Sequence, residues 1–314
     1  MMGRTKLGLA AAALAIVLTA ESARAQVGSC VAPSMFGGAC PAVAQALHSA
    51  VPQVGIAAAG GNPLQGTASV AGVRLGFFPS LTAELRLTGA RMRLPDVGSA
   101  NPAGSESAEL VGSVDADLAV SLSRGLAGGV AGLGAVDLLA SVGVLPGGGS
   151  REGASFTWGV GARLGILRES FGTPAVNVSA MYRQVNGVQV GSTRAGTPGE
   201  LDFGVADVSV RATVARRVAR FGLVGGAGYD RFTGRDARFS LTDGSVFQTV
   251  EQDVDEGRWS LFGNVSLPLT VGAVTLEGGW MSGGDAIPGY PSAAATFDPG
   301  SGTVFGSLSL RLSL

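Results

Sequence analysis

Residues 302–314 read Gly-Thr-Val-Phe-Gly-Ser-Leu-Ser-Leu-Arg-Leu-Ser-Leu, and apolar residues alternate there with polar or small ones up to the last position. Successive side chains of a β-strand point to opposite faces of the sheet, so this stretch predicts a strand with one apolar and one polar face. The same alternation recurs through most of the chain, for example over residues 106–123. The sequence therefore predicts an all-β protein.

The N-terminus has the pattern of an export signal. Arg4 and Lys6 precede an apolar run over residues 7–20, and Ala23-Arg24-Ala25 matches a cleavage site. We therefore predict a signal peptide over residues 1–25. The apolar run is too short to cross a bilayer of about 30 Å as a helix, and no later stretch reaches the ~18 uninterrupted apolar residues of a spanning helix.

Composition narrows the class of protein. Hydrophobic residues make up 46% of the chain and charged residues only 14%, which is too little polar surface for an ordinary soluble domain. The net charge is −1, and the basic residues are scattered rather than clustered in a stripe. Lipid is therefore an expected partner, and nucleic acid is not.

A closed barrel is the one sheet that leaves no backbone polar group unpaired in lipid. Short connections are predicted near residues 78–79, 124–125, 170–172, 217–219 and 268–272, and longer ones lie between them. With a first strand over 53–59, this spacing predicts an up-and-down transmembrane barrel of about 12 antiparallel strands over residues 53–314. A propeller needs four strands per repeat and a solenoid a shorter fixed period, so neither fits these long hairpins.

The export signal, the alternating strands and the C-terminal strand resemble those of bacterial outer-membrane β-barrel proteins, over nearly the whole mature chain. That strand carries Val304, Gly306, Leu308, Leu310, Leu312 and Leu314 on one face. The resemblance implies an outer membrane of the Gram-negative type, both termini in the periplasm, and insertion by the barrel assembly machinery through the C-terminal strand. Members of this class usually end in Phe, and this chain ends in Leu314.

The polar phase of the strands is predicted to face the barrel interior. Its charged members are Arg74, Glu84, Arg86, Asp115, Asp117, Asp137, Arg163, Arg183, Asp202, Asp207, Arg211, Arg258, Glu277 and Arg311. One strand changes phase, because Leu201, Phe203 and Val205 are odd-numbered and Val208 and Val210 even-numbered. A β-bulge near Ala206-Asp207 would restore the alternation. The interior charges either pair across a closed lumen or set a field across an open one.

Large aromatic residues fall on the predicted lipid-facing phase, toward the ends of strands that carry the longer loops. They are Trp158, Tyr182, Tyr229, Trp259 and Trp280. Aromatic side chains collect at membrane interfaces, so these five predict an aromatic girdle. The alternative is that they are large core residues of an ordinary β-sandwich.

Residues 26–52 are predicted to form an N-terminal periplasmic segment with a short helix near 42–51. Cys30 and Cys40 predict a disulfide in an oxidising compartment, with lipid acylation of Cys30 or a metal pair with His48 as the other readings. This segment either plugs the barrel mouth or leads flexibly into the first strand. No cofactor is expected.

A long acidic loop is predicted over residues 243–256, with Asp243, Glu251, Asp253, Asp255 and Glu256. It either stays solvated or binds Ca²⁺ through its carboxylates, although the spacing matches no known calcium loop. We therefore expect no metal site.

The chain has one histidine, His48, and no Gly-x-Ser-x-Gly motif, so the sequence predicts a protein that is not an enzyme. The expected function is that of a narrow passive channel for small solutes. The alternative is a sealed structural barrel that acts through its long loops on a surface partner.

Overall fold

The computed structural model describes residues 40–66, 80–95, 106–124, 134–148, 151–170, 172–192, 199–243, 246–251, 253–290 and 296–313. These residues form one helix, α1 (Cys40–Ala59), and a set of antiparallel strands. The strands are β1 (Leu81–Pro95), β2 (Glu106–Arg124), β3 (Ala135–Leu145), β4 (Arg151–Glu152), β5 (Ser155–Leu167), β6 (Ala175–Ser192), β7 (Gly199–Val218), β8 (Phe221–Asp243), β9 (Val246–Glu251), β10 (Val254–Leu269), β11 (Gly272–Met281) and β12 (Thr303–Ser313).

Ten of these strands close into an antiparallel barrel, so the expected barrel class is confirmed. The ring closes where β12 pairs with β1, from Thr82 opposite Ser313 to Ala90 opposite Phe305, and β10 pairs directly with β8. The short strands β4 and β9 pair only with β6 and β8 and lie outside the ring. The expected count of about 12 is wrong, because β12 meets β1 with no strand between them. The signal peptide, Cys30, Arg74 and the strand expected before Phe78 lie outside the described residues.

The alternation in the sequence separates an outer apolar face from an inner polar face. In β1, Leu85 and Leu87 are 54% and 50% exposed, whereas Thr82, Glu84 and Arg86 are buried. The same exposed band continues around the ring through residues such as Leu261 and Leu276. This arrangement suits a barrel with lipid on its outside.

The two ends of the barrel differ in their connections. At the end here named the turn end, residues 219–220 join β7 to β8 and residues 270–271 join β10 to β11. The opposite end, named the loop end, carries the connections over residues 146–154 and 282–302. The short turn expected at Arg124-Gly125 is wrong, because β2 ends at Arg124 and β3 begins only at Ala135.

Helix α1 lies inside the barrel. Every side chain from Ala42 to Gln65 is buried, and α1 contacts β1, β2, β6, β7, β8, β10 and β12. A helix that is apolar on all sides belongs in an interior, and the many alanines of α1 favour the helical state. Gly60, with φ of 62°, ends the helix, and its N–H donates to the Ile56 carbonyl at 2.8 Å. No helix in the described residues is long and apolar enough to cross a membrane.

The strand expected over residues 53–59, and with it the barrel boundary at Gln53, is wrong. These residues form the second half of α1, which continues through Pro52. The two states were indistinguishable by pattern, because a short apolar run fits a buried helix as well as a strand. Residues 40–66, named here the plug, run from the loop end to the turn end. Its N-terminal part contacts Glu256 and Ile287, and its C-terminal part contacts Glu277 and Arg311.

The phase change expected in β7 is also wrong. Leu201, Phe203 and Val205 are buried on the same inward face as Asp207 and Arg211. The register shifts at this level place the extra residue in the neighbouring strands, between Val185 and Val188 of β6 and between Arg235 and Arg238 of β8. They point inward because α1 supplies an apolar partner there, and all three belong to the buried cluster around Val51 and Val54. The barrel interior is therefore apolar around the helix in the loop half and polar in the turn half.

Arginine in place of Leu276 is expected to weaken membrane insertion, because Leu276 is 65% exposed in the middle of the apolar band. An arginine at the centre of a barrel's lipid face costs about 2–4 kcal/mol. The measurement is the urea midpoint of the protein refolded in phospholipid bilayers. The matched control is Val271→Arg in the turn over residues 270–271, which should shift the midpoint far less. Equal shifts for the two variants would contradict the assigned membrane face.

Candidate functional site

Charged side chains converge on the barrel interior. Of the charges expected there, eleven are buried: Glu84, Arg86, Asp115, Asp117, Asp137, Arg163, Arg183, Asp207, Arg211, Arg258 and Glu277. Arg311 is half-buried and donates to the plug through Nη1, at 2.7 Å from the Gln65 carbonyl oxygen. Glu277, Arg86, Arg211 and Arg311 contact the plug, and other interior charges pair within the wall.

Asp202 is the exception, and its expected interior position is wrong. It lies on the outer face of β7, where its carboxylate accepts hydrogen bonds from Nε and Nη2 of Arg238 at 3.0 and 2.7 Å. Because the odd-numbered residues of β7 point inward throughout, the even-numbered Asp202 must point outward.

Glu277 holds the turn that follows α1. Its Oε1 accepts hydrogen bonds from the Gly61 N–H at 2.8 Å and from Gln65 Nε2 at 3.2 Å. Its Oε2 accepts from the Asn62 N–H at 2.9 Å and from Asn264 Nδ2 at 3.2 Å. Hydrogen bonds to a charged group are stronger than those between neutral groups, so Glu277 is the principal anchor of the plug.

Two arginines, which carry the charge opposite to that of Glu277, donate hydrogen bonds to backbone carbonyls at the same turn. Arg86 Nη1 donates to the Ala59 carbonyl at 3.1 Å, which places a cation at the C-terminus of α1, and Arg86 Nη2 lies 3.3 Å from Asp117 Oδ2. Arg211 donates to the Gly61 carbonyl and, through Nη2, to Asp230 Oδ1 at 2.6 Å. A cation at a helix C-terminus is favourable, because the helix dipole is negative there.

Asp230 was not among the residues predicted to face the interior, although the alternation in β8 contains the necessary signal. Its neighbour Tyr229 lies on the outward phase, so the alternation places Asp230 inward. Asp230 is fully buried and also accepts a hydrogen bond from Ser260 Oγ at 3.1 Å. The plug residues Asn62 and Gln65 were missed because they belong to neither face of a strand.

Other interior charges are fixed within the wall. Asp137 accepts from Nη2 and Nε of Arg163 at 2.6 and 3.1 Å, and both side chains are almost fully buried. Asp115 Oδ1 accepts from Thr157 Oγ1 at 3.1 Å. These contacts link β3 to β5 and β2 to β5 without involving the plug.

Arg183 and Asp207 stand opposite each other on β6 and β7, yet no hydrogen bond joins them within the described residues. Both Asp207 carboxylate oxygens, and the Nε and Nη1 atoms of Arg183, are buried without a hydrogen-bond partner. Arg183 Nη2 makes one weak contact, at 3.1 Å from Met181 Sδ. Buried ionic groups without partners are costly in a dry interior, so this part of the wall favours access by water.

The loop end has a second set of plug contacts. His48 Nδ1 lies 2.8 Å from Glu256 Oε1, and Arg258 Nη2 lies 3.2 Å from Glu256 Oε2. Gln53 Nε2 donates to the Arg93 carbonyl at 3.0 Å. The lone histidine therefore joins the helix to the wall.

The connection over residues 282–302 covers the start of α1. Ile287, Tyr290 and Phe297 pack on Ala42 and Ala44, and the Ile287 N–H donates to Gln45 Oε1 at 2.9 Å. Burial raises the pKa of the Tyr290 hydroxyl above its ordinary value. This connection closes the loop end over the helix.

Most of the acidic stretch over 243–256 lies in strands of the sheet. Asp255 accepts from Arg231 Nε at 2.9 Å, and Glu256 contacts His48 and Arg258. The expected open loop is wrong over residues 246–251, which form β9, and over residues 254–256, which begin β10, where cross-strand partners neutralise the acidic side chains of Asp255 and Glu256. No group of three or more His, Cys, Asp or Glu side chains within the described residues could hold a metal ion.

The five aromatics of the expected girdle lie on the outer face. Trp158 and Tyr182 have ring centroids 5.5 Å apart, and Tyr229 and Trp259 have centroids 5.0 Å apart. Trp259 and Trp280 are 64% and 43% exposed. Tilted aromatic pairs of this kind stabilise adjacent strands on the lipid side.

No protein-family model matches the sequence, and no curated protein is similar to it. Solved structures do match. The translocator domain of the autotransporter NalP from Neisseria meningitidis shares 12% identity over 76% of this chain and 88% of that one, with a TM-score of 0.41. The outer membrane protease OmpT from Escherichia coli shares 11% over 75% and 97%, also at 0.41. The toluene transporter TodX from Pseudomonas putida shares 11% over 76% and 89%, at 0.27.

These matches correct the expectation that the protein is not an enzyme. They include the outer membrane protease OmpT, so the non-enzyme expectation is not supported. At these identities the likeness concerns the fold alone, and it agrees with the closed antiparallel ring and its apolar outer band. The chain has the fold of the bacterial outer-membrane β-barrels.

Proposed function

We propose that the protein is an outer-membrane channel for small hydrophilic solutes and that residues 40–66 close it in the conformation described here. The observation that carries the proposal is the combination of a helical plug in the interior with an ionic wall around it. In the turn half, the inward positions hold charged and hydroxyl side chains. Among the described residues, the Asp207 carboxylate and the Nε and Nη1 atoms of Arg183 have no hydrogen-bond partner. Such a wall suits a water-filled path once the plug has moved.

The composition of the plug supports movement as a body. The helix is rich in alanine, and Gly55 lies where an added Cβ would come within 2.5 Å of the Phe232 ring. Its strongest fixed points are polar and lie mainly at the turn that follows it, on Glu277, Arg86 and Arg211. If the plug moves, the polar groups that anchor it can form hydrogen bonds to water in place of those to the protein. Apolar side chains have no such replacement for the contacts that they lose.

The test is a comparison of currents in planar bilayers between the wild-type protein and a variant that lacks residues 41–66. We expect discrete ion-carrying steps from the deletion variant and silence from the wild type. Both samples are first shown to be folded by their heat-modifiable migration in gels. Silence from a folded deletion variant would contradict the channel.

A sealed barrel that acts through its loop end is the second candidate. It is favoured by one observation, the complete burial of the plug from Ala42 to Gln65 with contacts at both ends. Silence from the folded deletion variant would favour this candidate.

The loop end is inferred to face the cell exterior and the turn end the periplasm, since outer-membrane barrels carry short periplasmic turns and longer outer loops. On this orientation α1 begins at the outer end, and β12, which the assembly machinery would recognise, finishes at the periplasmic end. Of the expected periplasmic segment over 26–52, residues 26–39 lie outside the described residues, whereas residues 40–52 lie in α1 inside the barrel.

Orientation can be tested by cysteine labelling in intact cells, after both native cysteines are replaced by serine. Ala286→Cys at the loop end is expected to react with a membrane-impermeant maleimide, because its side chain is exposed. Thr270→Cys at the turn end is equally exposed and should react only after the cells are lysed. The reverse pattern would overturn the assigned orientation.

A further inference from the structure

A cavity of about 130 Å³ lies at the turn end, directly below the last residue of the plug. The charged and polar residues of its lining are Glu169, Arg216, Arg217, Arg220, Ser266 and Arg311. A liquid water occupies about 30 Å³, so the cavity has room for more than one or two waters. Its floor is formed by the ends of β7, β8, β10, β11 and β12, which the turns over 219–220 and 270–271 hold in place.

Four arginines and one glutamate belong to this lining. Arg217 lies on the inward phase of β7 and Arg216 on the outward phase, and the Arg220 guanidinium lies 5.4 Å from the centroid of the Phe221 ring. In the part of the chain that the structure describes, no carboxylate lies within 4.0 Å of the side chains of Arg216, Arg217, Arg220 or Arg311. The carboxylate of Glu169 accepts a hydrogen bond from the backbone N–H of Arg217 at 2.6 Å. The cavity therefore carries a strong excess of positive charge.

The opposite end of the barrel shows that this excess is not a general property of the chain. At the loop end, Arg93 pairs with Glu106 at 2.7 Å and Arg231 with Asp255 at 2.5 Å. Each of these two arginines pairs with a carboxylate from a neighbouring strand. At the turn end, Arg163 pairs with Asp137, but the four arginines that line the cavity have no carboxylate within 4.0 Å among the described residues.

The geometry points to a binding site for small oxyanions, which we propose to be free solutes bearing a phosphate or a similar group. Guanidinium groups present paired N–H donors that match the oxygens of phosphate and carboxylate, and several of them around one cavity reinforce the attraction. The inference rests on the proposed channel only for its consequence, that anions are the preferred solutes, since binding itself requires no conduction.

The first test is calorimetric titration of the folded full-length protein with inorganic phosphate, in zwitterionic detergent and against sodium chloride at equal ionic strength. We expect saturable binding by phosphate that chloride does not reproduce. In the double variant Arg217→Gln/Arg220→Gln, affinity should fall about tenfold or more, because two charged donors are lost. Both side chains are exposed at the rim, so the variant should still fold.

The matched control is Arg231→Gln, which removes an arginine from the outer face at the other end and should leave phosphate affinity unchanged. The proposal is overturned if phosphate binds no better than chloride, or if the rim and control variants bind it equally. Nanodiscs of two lipid compositions distinguish a free phosphate from the phosphate of a lipid headgroup. Phosphate binding in phosphatidylcholine that disappears in phosphatidylglycerol would assign the cavity to lipid headgroups and overturn the solute assignment.

The outcome is independent of the test for the channel. Phosphate binding by the wild type together with silence from the variant that lacks residues 41–66 would remove the channel and leave the anion site standing. Ion-carrying steps from that variant, together with no phosphate binding by the wild type, would support the channel and remove the anion site.

Discussion

Replacement of Arg211 by methionine is expected to lower the free energy of unfolding by about 3–5 kcal/mol, the usual cost of removing one partner of a buried ion pair. Arg211 and Asp230 are both fully buried, and the pair is joined by a 2.6 Å hydrogen bond. Without Arg211, Asp230 keeps only the hydroxyl of Ser260, and the Gly61 carbonyl loses its donor. The measurement is the urea midpoint at which the heat-modifiable form disappears in gels.

Two companion variants decide whether charge is the cause. The double variant Arg211→Met/Asp230→Leu removes both ions and should recover much of the loss, since an apolar replacement of both partners is often neutral. Arg238→Met removes a pair of similar geometry with Asp202 on the outer face, where Arg238 is 51% exposed. That variant should change stability by no more than about 1 kcal/mol. Similar losses for Arg211→Met and Arg238→Met would argue against the buried pair.

The Glu277→Gln variant is expected to loosen the plug by about 2–4 kcal/mol, which corresponds to about 30- to 700-fold more of the displaced state. Glutamine keeps the shape of glutamate but replaces one acceptor oxygen by a donor and removes the charge. The Gly61 and Asn62 N–H groups and two side-chain amides then compete for one oxygen. The measurement is the rate at which a small thiol reagent modifies Ala58→Cys, a buried helix position, in a background without native cysteines.

Asp255→Asn is the matched control, because it also neutralises a hydrogen-bonded acid, here one that pairs with Arg231 on the outer face and away from the plug. Its modification rate at Ala58→Cys should equal that of the unaltered protein. An unchanged rate in Glu277→Gln would contradict the role of Glu277 as anchor, even if the protein lost stability.

Strand positions were readable from the sequence wherever the two faces of a strand met different solvents. In β1, β2, β10 and β12 lipid lies on one side and polar groups on the other, so the period of two was visible and the faces followed from it. In β7 the rule that apolar means outward failed. Leu201 and Phe203 are apolar because they pack against α1. The local sequence of a strand carries no information about what fills the barrel interior.

The helix itself marks a second limit. Residues 53–59 are apolar and short enough to be a strand, and Pro52 before them resembles a boundary. The helix is favoured because the segment is buried on all sides. That burial depends on the strands that surround the segment and cannot be seen in its own sequence. The pairings of Glu256 with His48 and of Asp255 with Arg231 were hidden for the same reason, since their partners are distant in sequence.

The apolar packing around α1 would become a wetted surface if the plug withdrew. Met92, Leu145, Val188, Phe203 and Phe239 line the loop half of the interior, above the charged turn half. Water leaves narrow apolar rings readily, and such rings block ions without any solid obstruction. The emptied barrel would therefore hold a second barrier, a dewetted collar. Its resistance would depend on the polarity of those five side chains more than on the width of the pore.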